Sequence, residues 1–286
     1  MMYPFQTEEY RSLFKKHFCE GIGVLFGCTE YELVPENKAI LIGMKPVLNG
    51  QEITDYGEVD DTLTLSEIHK SLHEDHSINI IQYDYIREGS PTFKKLSAIS
   101  PVPAALQEVA PFISLPSSWE SHLESLDRKD RKELKRKFKR LETTSYRFRY
   151  STEKNATDFE EFIKLHKLSD VSKNKFMSDK MKSFFSDLYF LSIPGWQTKL
   201  AFLDIEGKPA AALFYFENED EILLYNSGYD PAQKFYSAGL LLCADLIKQS
   251  IEQKKKTFDF LRGNERYKYD LGAKDHSLFQ FVISFE

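Results

Sequence analysis

The spacing of apolar and polar positions outlines a series of short elements. In the first part of the chain, apolar runs at 22–26 and 39–42 read as strands, and Leu65, Ile68 and Leu72 share one helical face over 65–73. From 78 to 86 the residues alternate. Asn79, Ile81, Tyr83 and Tyr85 lie on one side, which predicts a strand with that side against a core. Pro101, Pro103, Pro111 and Pro116 then leave little room for regular helix. Ser117 and Glu120 have capping-box spacing, and Trp119, Leu123 and Leu126 follow on one face. After a polar break at 127–132, Leu134, Phe138 and Leu141 resume that face, so two consecutive helices are expected.

The second part is more regular. A strand is expected at 146–150. A helix over 158–168 turns Phe159, Phe162, Ile163, Leu165 and His166 inward. Another opens at Ser178 and carries Met181, Phe184, Phe185 and Leu188. Strands at 198–205, 210–216 and 222–227 are separated by Gly207 with Lys208 and by Asn218, Glu219 and Asp220, as in an antiparallel meander. A long helix over 238–253 and strands at 257–261 and 278–285 complete the pattern.

Composition narrows the class. The 286 residues suffice for two domains, and 14% aromatic content supplies large cores and argues against disorder. A net charge of −6 argues against binding nucleic acid through overall charge. Cys19, Cys28 and Cys243 are far apart, odd in number and without CxxC spacing, which argues against a disulfide framework and a structural zinc site. Charged residues at 8, 9, 15 and 16 interrupt any secretory signal, and no stretch is long and apolar enough to span a bilayer, so a cytoplasmic location is expected.

Several segments carry candidate chemistry. Ser237, Ala238 and Gly239 open a helix directly after a strand and loop. The free N–H groups and positive dipole end of such a helix suit a phosphate, and small residues let it approach; the alternative is a plain cap by Ser237. In the run 258–268, Phe258 and Phe260 face one way and Asp259 the other. A buried Asp259 needs a partner, and Arg262 and Lys268 are near in sequence. That run is either a structural ion-pair network or the floor of a site. Lys and Arg are dense over 128–140, as on a solvated helix face or an RNA or anionic-glycan contact. Gly21, Gly23 and Gly27 lack the strand–turn–helix setting of a nucleotide loop, and His69, His73 and His76 follow no metal-ligand spacing.

Taken in order, Tyr225-Asn226-Ser227-Gly228-Tyr229-Asp230-Pro231, Ser237-Ala238-Gly239 and Phe258-Asp259-Phe260-Leu261-Arg262-Gly263, with Glu265, Tyr267 and Lys268, resemble the CelD-like branch of the GNAT acyltransferases. That branch is associated with cellulose and other surface-polysaccharide biosynthesis. It is similar in turn to the Fem-type peptidoglycan bridge transferases, which carry two GNAT-like halves. His166, Phe176-Met177 and Asp55-Tyr56 extend the resemblance upstream. One motif departs from it. The Arg/Gln-x-x-Gly-x-Gly/Ala signature is not intact, because Gln233 is followed by Tyr236 and glycine returns only at 239.

The resemblance implies an α+β fold of two GNAT-like halves, 1–145 and 146–286, each a mixed, mostly antiparallel sheet flanked by helices. It implies an N-acyltransferase that moves an acyl group from acyl-CoA, acetyl-CoA first among the donors, to an amine such as an amino sugar, without a metal. Ser237, Ala238 and Gly239 would cradle the donor phosphates. Tyr267 and Lys268 would donate to the thioester carbonyl or protonate the leaving thiolate. Asp259 or Glu265 would take the amine proton, with His166 as a rival base. Arg262 would orient a carboxylate or bind substrate, and Asp55 and Tyr56 would contact the acceptor. Two alternatives stand beside this reading: a Fem-like transferase using aminoacyl-tRNA, held by the basic stretch 128–140, and a non-catalytic binding subunit.

Overall fold

The computed structural model describes residues 3–18, 24–26, 29–34, 38–42, 53–58, 70, 74 and 80–284. The chain divides into two compact units, one of residues 1–110 with 275–286 and one of residues 111–274. The boundary expected at 145/146 falls inside the second unit. The helices before it belong there because their apolar faces do: Leu126, Leu134 and Leu141 are buried in that unit's core.

The first unit contains α1 (Glu8–Phe18), β1 (Val24–Phe26), β2 (Thr29–Val34), β3 (Lys38–Ile42), β4 (Ile80–Arg87), α2 (Pro91–Ile99), the start of β5 (Ala105–Ser114) and nearly all of β11 (Lys274–Ser284). Its strands run in the order β1-β2-β3-β4-β11, antiparallel except for β3 and β4. Ile81 and Tyr83 are fully buried as the alternation in β4 predicts, but Gln82 and Asp84 on the other side are covered too. Helix α2, absent from the expected pattern, begins with Pro91 behind Ser90, whose hydroxyl accepts from Phe93 N. The helix expected at 65–73 lies, apart from Lys70, outside the described residues, as do Gly21, Gly23, Gly27, His69, His73 and His76.

The second unit holds the end of β5, α3 (Trp119–Ser125), α4 (Arg128–Leu141), β6 (Tyr146–Tyr150), α5 (Ala156–Ser169), α6 (Val171–Phe176), α7 (Asp179–Phe190), β7 (Gln197–Ile205), β8 (Lys208–Glu217), β9 (Glu221–Tyr229), α8 (Ala238–Glu252), β10 (Thr257–Asp259) and α9 (Arg266–Asp270). The cap of α3 is Ser118, one residue beyond the expected Ser117; its hydroxyl accepts from Ser121 N. Ser178 caps α7 as expected, accepting from Met181 N. The sheet order is β5-β10-β9-β8-β7-β6, antiparallel except where β10 runs parallel to β9. The proline-rich stretch, unsuited to helix, is thus in part a strand. Pro111 fits there because its carbonyl still accepts from Phe260 N.

Alternation in β8 sets the two layers. Ala211, Leu213 and Tyr215 face α8, where Ala238, Leu241, Leu242 and Ile247 complete one core. Phe214 faces the opposite way, against Phe162 of α5 and Phe185 of α7. An α+β unit with a mostly antiparallel sheet between helices is the result. Among the described residues no helix is long and apolar enough to cross a membrane.

Candidate active site

The site begins with a defect in β9. Phe214 pairs with Asn226 and Tyr215 pairs with Leu224, so Tyr225 is an extra residue and the strand bulges there. On its other edge, β9 is paired by β10 only as far as Leu223, opposite Asp259. Beyond that point the two strands part. Ser227, Gly228 and Tyr229 therefore line a cavity of about 570 Å³ instead of a ladder. Its other walls are Asp170, Ser172 and Lys173 near α6, Gln233 and Lys234 of the loop, the first turns of α8, and Glu265 with Tyr267.

Helix α8 presents a bare N-terminus to this cavity. Ser237 has left-handed dihedrals (φ 56°, ψ 43°) and makes no side-chain cap, so it is not a plain N-cap. Its hydroxyl instead accepts from Lys137 Nζ of α4 at 3.0 Å. The N–H groups of Ala238, Gly239 and Leu240 thus keep the exposed positive end of the dipole. Gly239 is not required by the protein's own packing: a Cβ there would come no closer than 3.8 Å to Tyr229, which lines the cavity with it. A glycine where the protein leaves room suits close approach by a phosphate.

Across the cavity, the loop after β10 is held by buried charges. Asp259 is 3% exposed and accepts from Leu261 N at 2.7 Å, which supports the left-handed conformation of Leu261 (φ 57°). Lys268, 2% exposed, donates to the carbonyls of Arg262 at 2.8 Å and Gly263 at 2.9 Å and pairs with Glu265 at 2.9 Å. Those contacts use all three of its N–H groups. Lys268 is therefore a tie for the loop and has no donor left for a thioester, contrary to the role expected of it. Asp259, Arg262 and Lys268 do not line the cavity; Glu265 and Tyr267 do. Burial, reinforced by Cys243 and Glu265, pushes the Tyr267 hydroxyl well above its ordinary value.

His166 lies behind the strand. It is 1% exposed, and its Nδ1 is 3.1 Å from the Ser227 carbonyl. Burial, then the charge of Lys173, lowers its pKa to about 4 against the opposing pull of the Ser227 carbonyl. It is not among the residues that line the cavity. Lys173 and Cys243 line the cavity and had no motif to mark them. Burial lowers the pKa of Lys173 and raises that of Cys243 to about 12.

Asp55 and Tyr56 belong to the first unit and are not part of this cavity. Tyr56 is fully buried, its ring 4.8 Å from that of Tyr3 and 6.4 Å from that of Phe5, with the Arg87 guanidinium 5.8 Å above it. A ring so enclosed offers no face to a sugar. Asp55 is 9% exposed.

The basic stretch is α4, with nine Lys and Arg against Asp130 and Glu133; most of these are exposed, while Arg131, Lys137 and Arg140 are half-buried. Glu133 pairs with Arg136 at 2.7 Å and with Lys137 at 3.3 Å. Arg140 donates to the Phe235 carbonyl at 2.7 Å, so this helix flanks the loop that leads into α8.

Among solved structures, the chain is similar to FemX, at 10% identity and a TM-score of 0.65, covering 98% of this chain and 92% of that one. It is similar to the C-terminal domain of a putative lysylphosphatidylglycerol synthetase from Agrobacterium fabrum, at 8% identity and a TM-score of 0.64, covering 98% and 89%. The L-PGS of Bacillus licheniformis gives 11% identity and a TM-score of 0.60 over 94% and 84%. At these identities the likeness is one of fold. No curated protein matches the chain. Residues 128–269, which run from α4 into α9 and contain every residue of the cavity, match the family model of the acetyltransferase (GNAT) domain.

Proposed function

We propose that the protein is an N-acyltransferase that takes an acyl-CoA, acetyl-CoA first, and passes its acyl group to an amine. The observation that carries this reading is the cavity at the uncapped start of α8, lined by Gly239, where the protein leaves room, and by Glu265 and Tyr267. The pyrophosphate fits the N–H groups of Ala238 and Gly239 beside Ser237. The amide-bearing arm of CoA fits the edge of β9 that β10 leaves unpaired, as an added strand would. In this reading the thioester lies near Ser227.

A thioester is already activated, so the protein chiefly positions the amine and handles charge. Glu265 is the general base of this reading, held in place by Lys268. Asp259 fixes the turn that precedes it, and Arg262 would bind substrate or orient a carboxylate from the same loop. The hydroxyl of Tyr267, which holds its proton, donates to the carbonyl oxygen. The acceptor class is an amine such as an amino sugar in surface-polysaccharide biosynthesis, and the place of action is the cytoplasm; both rest on the CelD-like resemblance. Asp55 remains a candidate acceptor contact on the same ground.

The cationic face of α4 favours one second reading, a Fem-like transferase whose acyl group arrives on tRNA. The test is thiol release from acetyl-CoA with a panel of amino sugars, before and after ribonuclease treatment. The expected result is release of CoA thiol and acetylated amine with acetyl-CoA as sole donor, unaffected by ribonuclease. Transfer that requires charged tRNA and ignores acetyl-CoA would establish the second reading instead. Failure to bind any acyl donor would leave a binding subunit.

A further inference from the structure

Lys173 stands apart from the residues that the motifs single out. It lies on α6, three residues beyond Asp170, which joins α5 to α6, and its backbone N–H is fixed by the Asp170 side chain at 2.9 Å. Its Nζ reaches the bulged strand, donating to the Ser227 carbonyl at 2.7 Å and to the Ser227 hydroxyl at 3.3 Å. An ammonium has three N–H groups, so one remains for the cavity that Lys173 lines. The charged and titratable groups near it are Asp170, which caps its own helix, His166 on α5, Cys243 on α8, and Glu265 and Tyr267, which line the same cavity.

The other candidate donors are spoken for. Lys268 has spent its N–H groups on the carbonyls of Arg262 and Gly263 and on Glu265. Tyr267 and Cys243 hold their protons tightly because they are buried. Lys234 is exposed on the loop. From this geometry we infer that Lys173 is the general acid that protonates the departing thiolate, and that Ser227 is the group that aims it. The inference rests on the acyl-CoA reading above.

The step balances. The amine nitrogen attacks the thioester carbonyl carbon and forms a C–N bond, and the carbonyl electrons move to oxygen. Their return breaks the C–S bond, with its electron pair going to sulfur. Lys173 transfers its proton to that sulfur, giving the CoA thiol. The proton lost by the attacking nitrogen goes to Glu265, and exchange with solvent resets both side chains. A burial-lowered ammonium is better matched to this transfer than an ordinary lysine.

The test uses the full chain with Lys173→Met and Lys173→Arg. Acetyl-CoA binding is followed by calorimetry, and thiol release from acetyl-CoA is followed with glucosamine as surrogate acceptor. Both variants are expected to bind acetyl-CoA within about threefold of wild type. The methionine variant should lose about 100-fold or more in kcat, the usual scale for a general acid. Arginine keeps the charge but does not release a proton, so it should recover little of the rate. Wild-type kcat in either variant would overturn the inference. So would an effect confined to KM, which would make Lys173 a binding group only. A wild-type protein that neither binds acetyl-CoA nor releases its thiol would overturn the underlying reading together with this one.

Discussion

Gly228→Ala is expected to unseat α5 and to abolish the site with it. A Cβ on Gly228 would stand 2.3 Å from His166 N, 2.5 Å from Leu165 C and 2.6 Å from His166 Cα. These are backbone atoms within a helix, so no rotamer change relieves the clash. The helix would have to leave the strand, and three contacts made across that interface would go. They are His166 to the Ser227 carbonyl, Ser169 Oγ to Tyr229 N at 2.8 Å, and Ser169 Oγ to the Tyr229 carbonyl at 3.3 Å. Overpacking of this kind costs about 3 kcal/mol when side chains cannot yield. The corresponding fall in Tm is on the order of 10 °C for a domain of this size. Thermal melts followed by circular dichroism measure it. A Tm within a degree or two of wild type would mean that β9 and α5 are not in backbone contact.

The second large effect is acid destabilisation over a defined window. His122 and His166 are each 1% exposed, and burial lowers the pKa of each to about 4. In the unfolded chain both return to about 6.5. Above that pH the two states are equally neutral and stability is at its full value. As pH falls toward 4 the unfolded state takes up protons that the folded state refuses, so stability drops; below 4 the loss has saturated. Between pH 7 and pH 5 the difference is about 2 kcal/mol per histidine. Urea unfolding at the two pH values should therefore show a loss of stability that is smaller by about 2 kcal/mol in His122→Asn or His166→Asn than in wild type. A flat profile between pH 7 and 5 would show that neither imidazole is buried neutral.

The parts of this molecule that the sequence makes legible are those governed by periodic burial. The meander β7–β9, helix α8 and the helices carrying Leu126 and Leu134 follow from alternation or 3.6-residue spacing, because each has one face in the core of the second unit. Strand β5 is hidden because a proline suggests irregular chain, while only one of its N–H positions is lost to the ladder. The start of α8 could be read as a phosphate site, but the decisive detail could not. Ser237 and Leu261 are left-handed without being glycine, and the bulge at Tyr225 has no composition of its own. Lys268 reads as chemistry beside Glu265, whereas the fold spends it on carbonyls. Lys173 reads as an ordinary helix-surface lysine, since the strand it reaches is 54 residues away.

The most direct test of the central claim is a calorimetric titration of the full chain with acetyl-CoA, run in parallel on wild type and Gly239→Ala. The added methyl meets nothing closer than 3.8 Å in the protein and improves helix propensity by about 0.5–1 kcal/mol, so the variant should melt at or slightly above the wild-type Tm. The methyl would, however, add bulk to the wall of the cavity assigned to the donor's pyrophosphate. The account predicts micromolar binding by wild type and a loss of about tenfold or more in the variant, with the fold unharmed. No heat of binding from wild type at several hundred micromolar acetyl-CoA, or equal affinity in the two proteins, would contradict it.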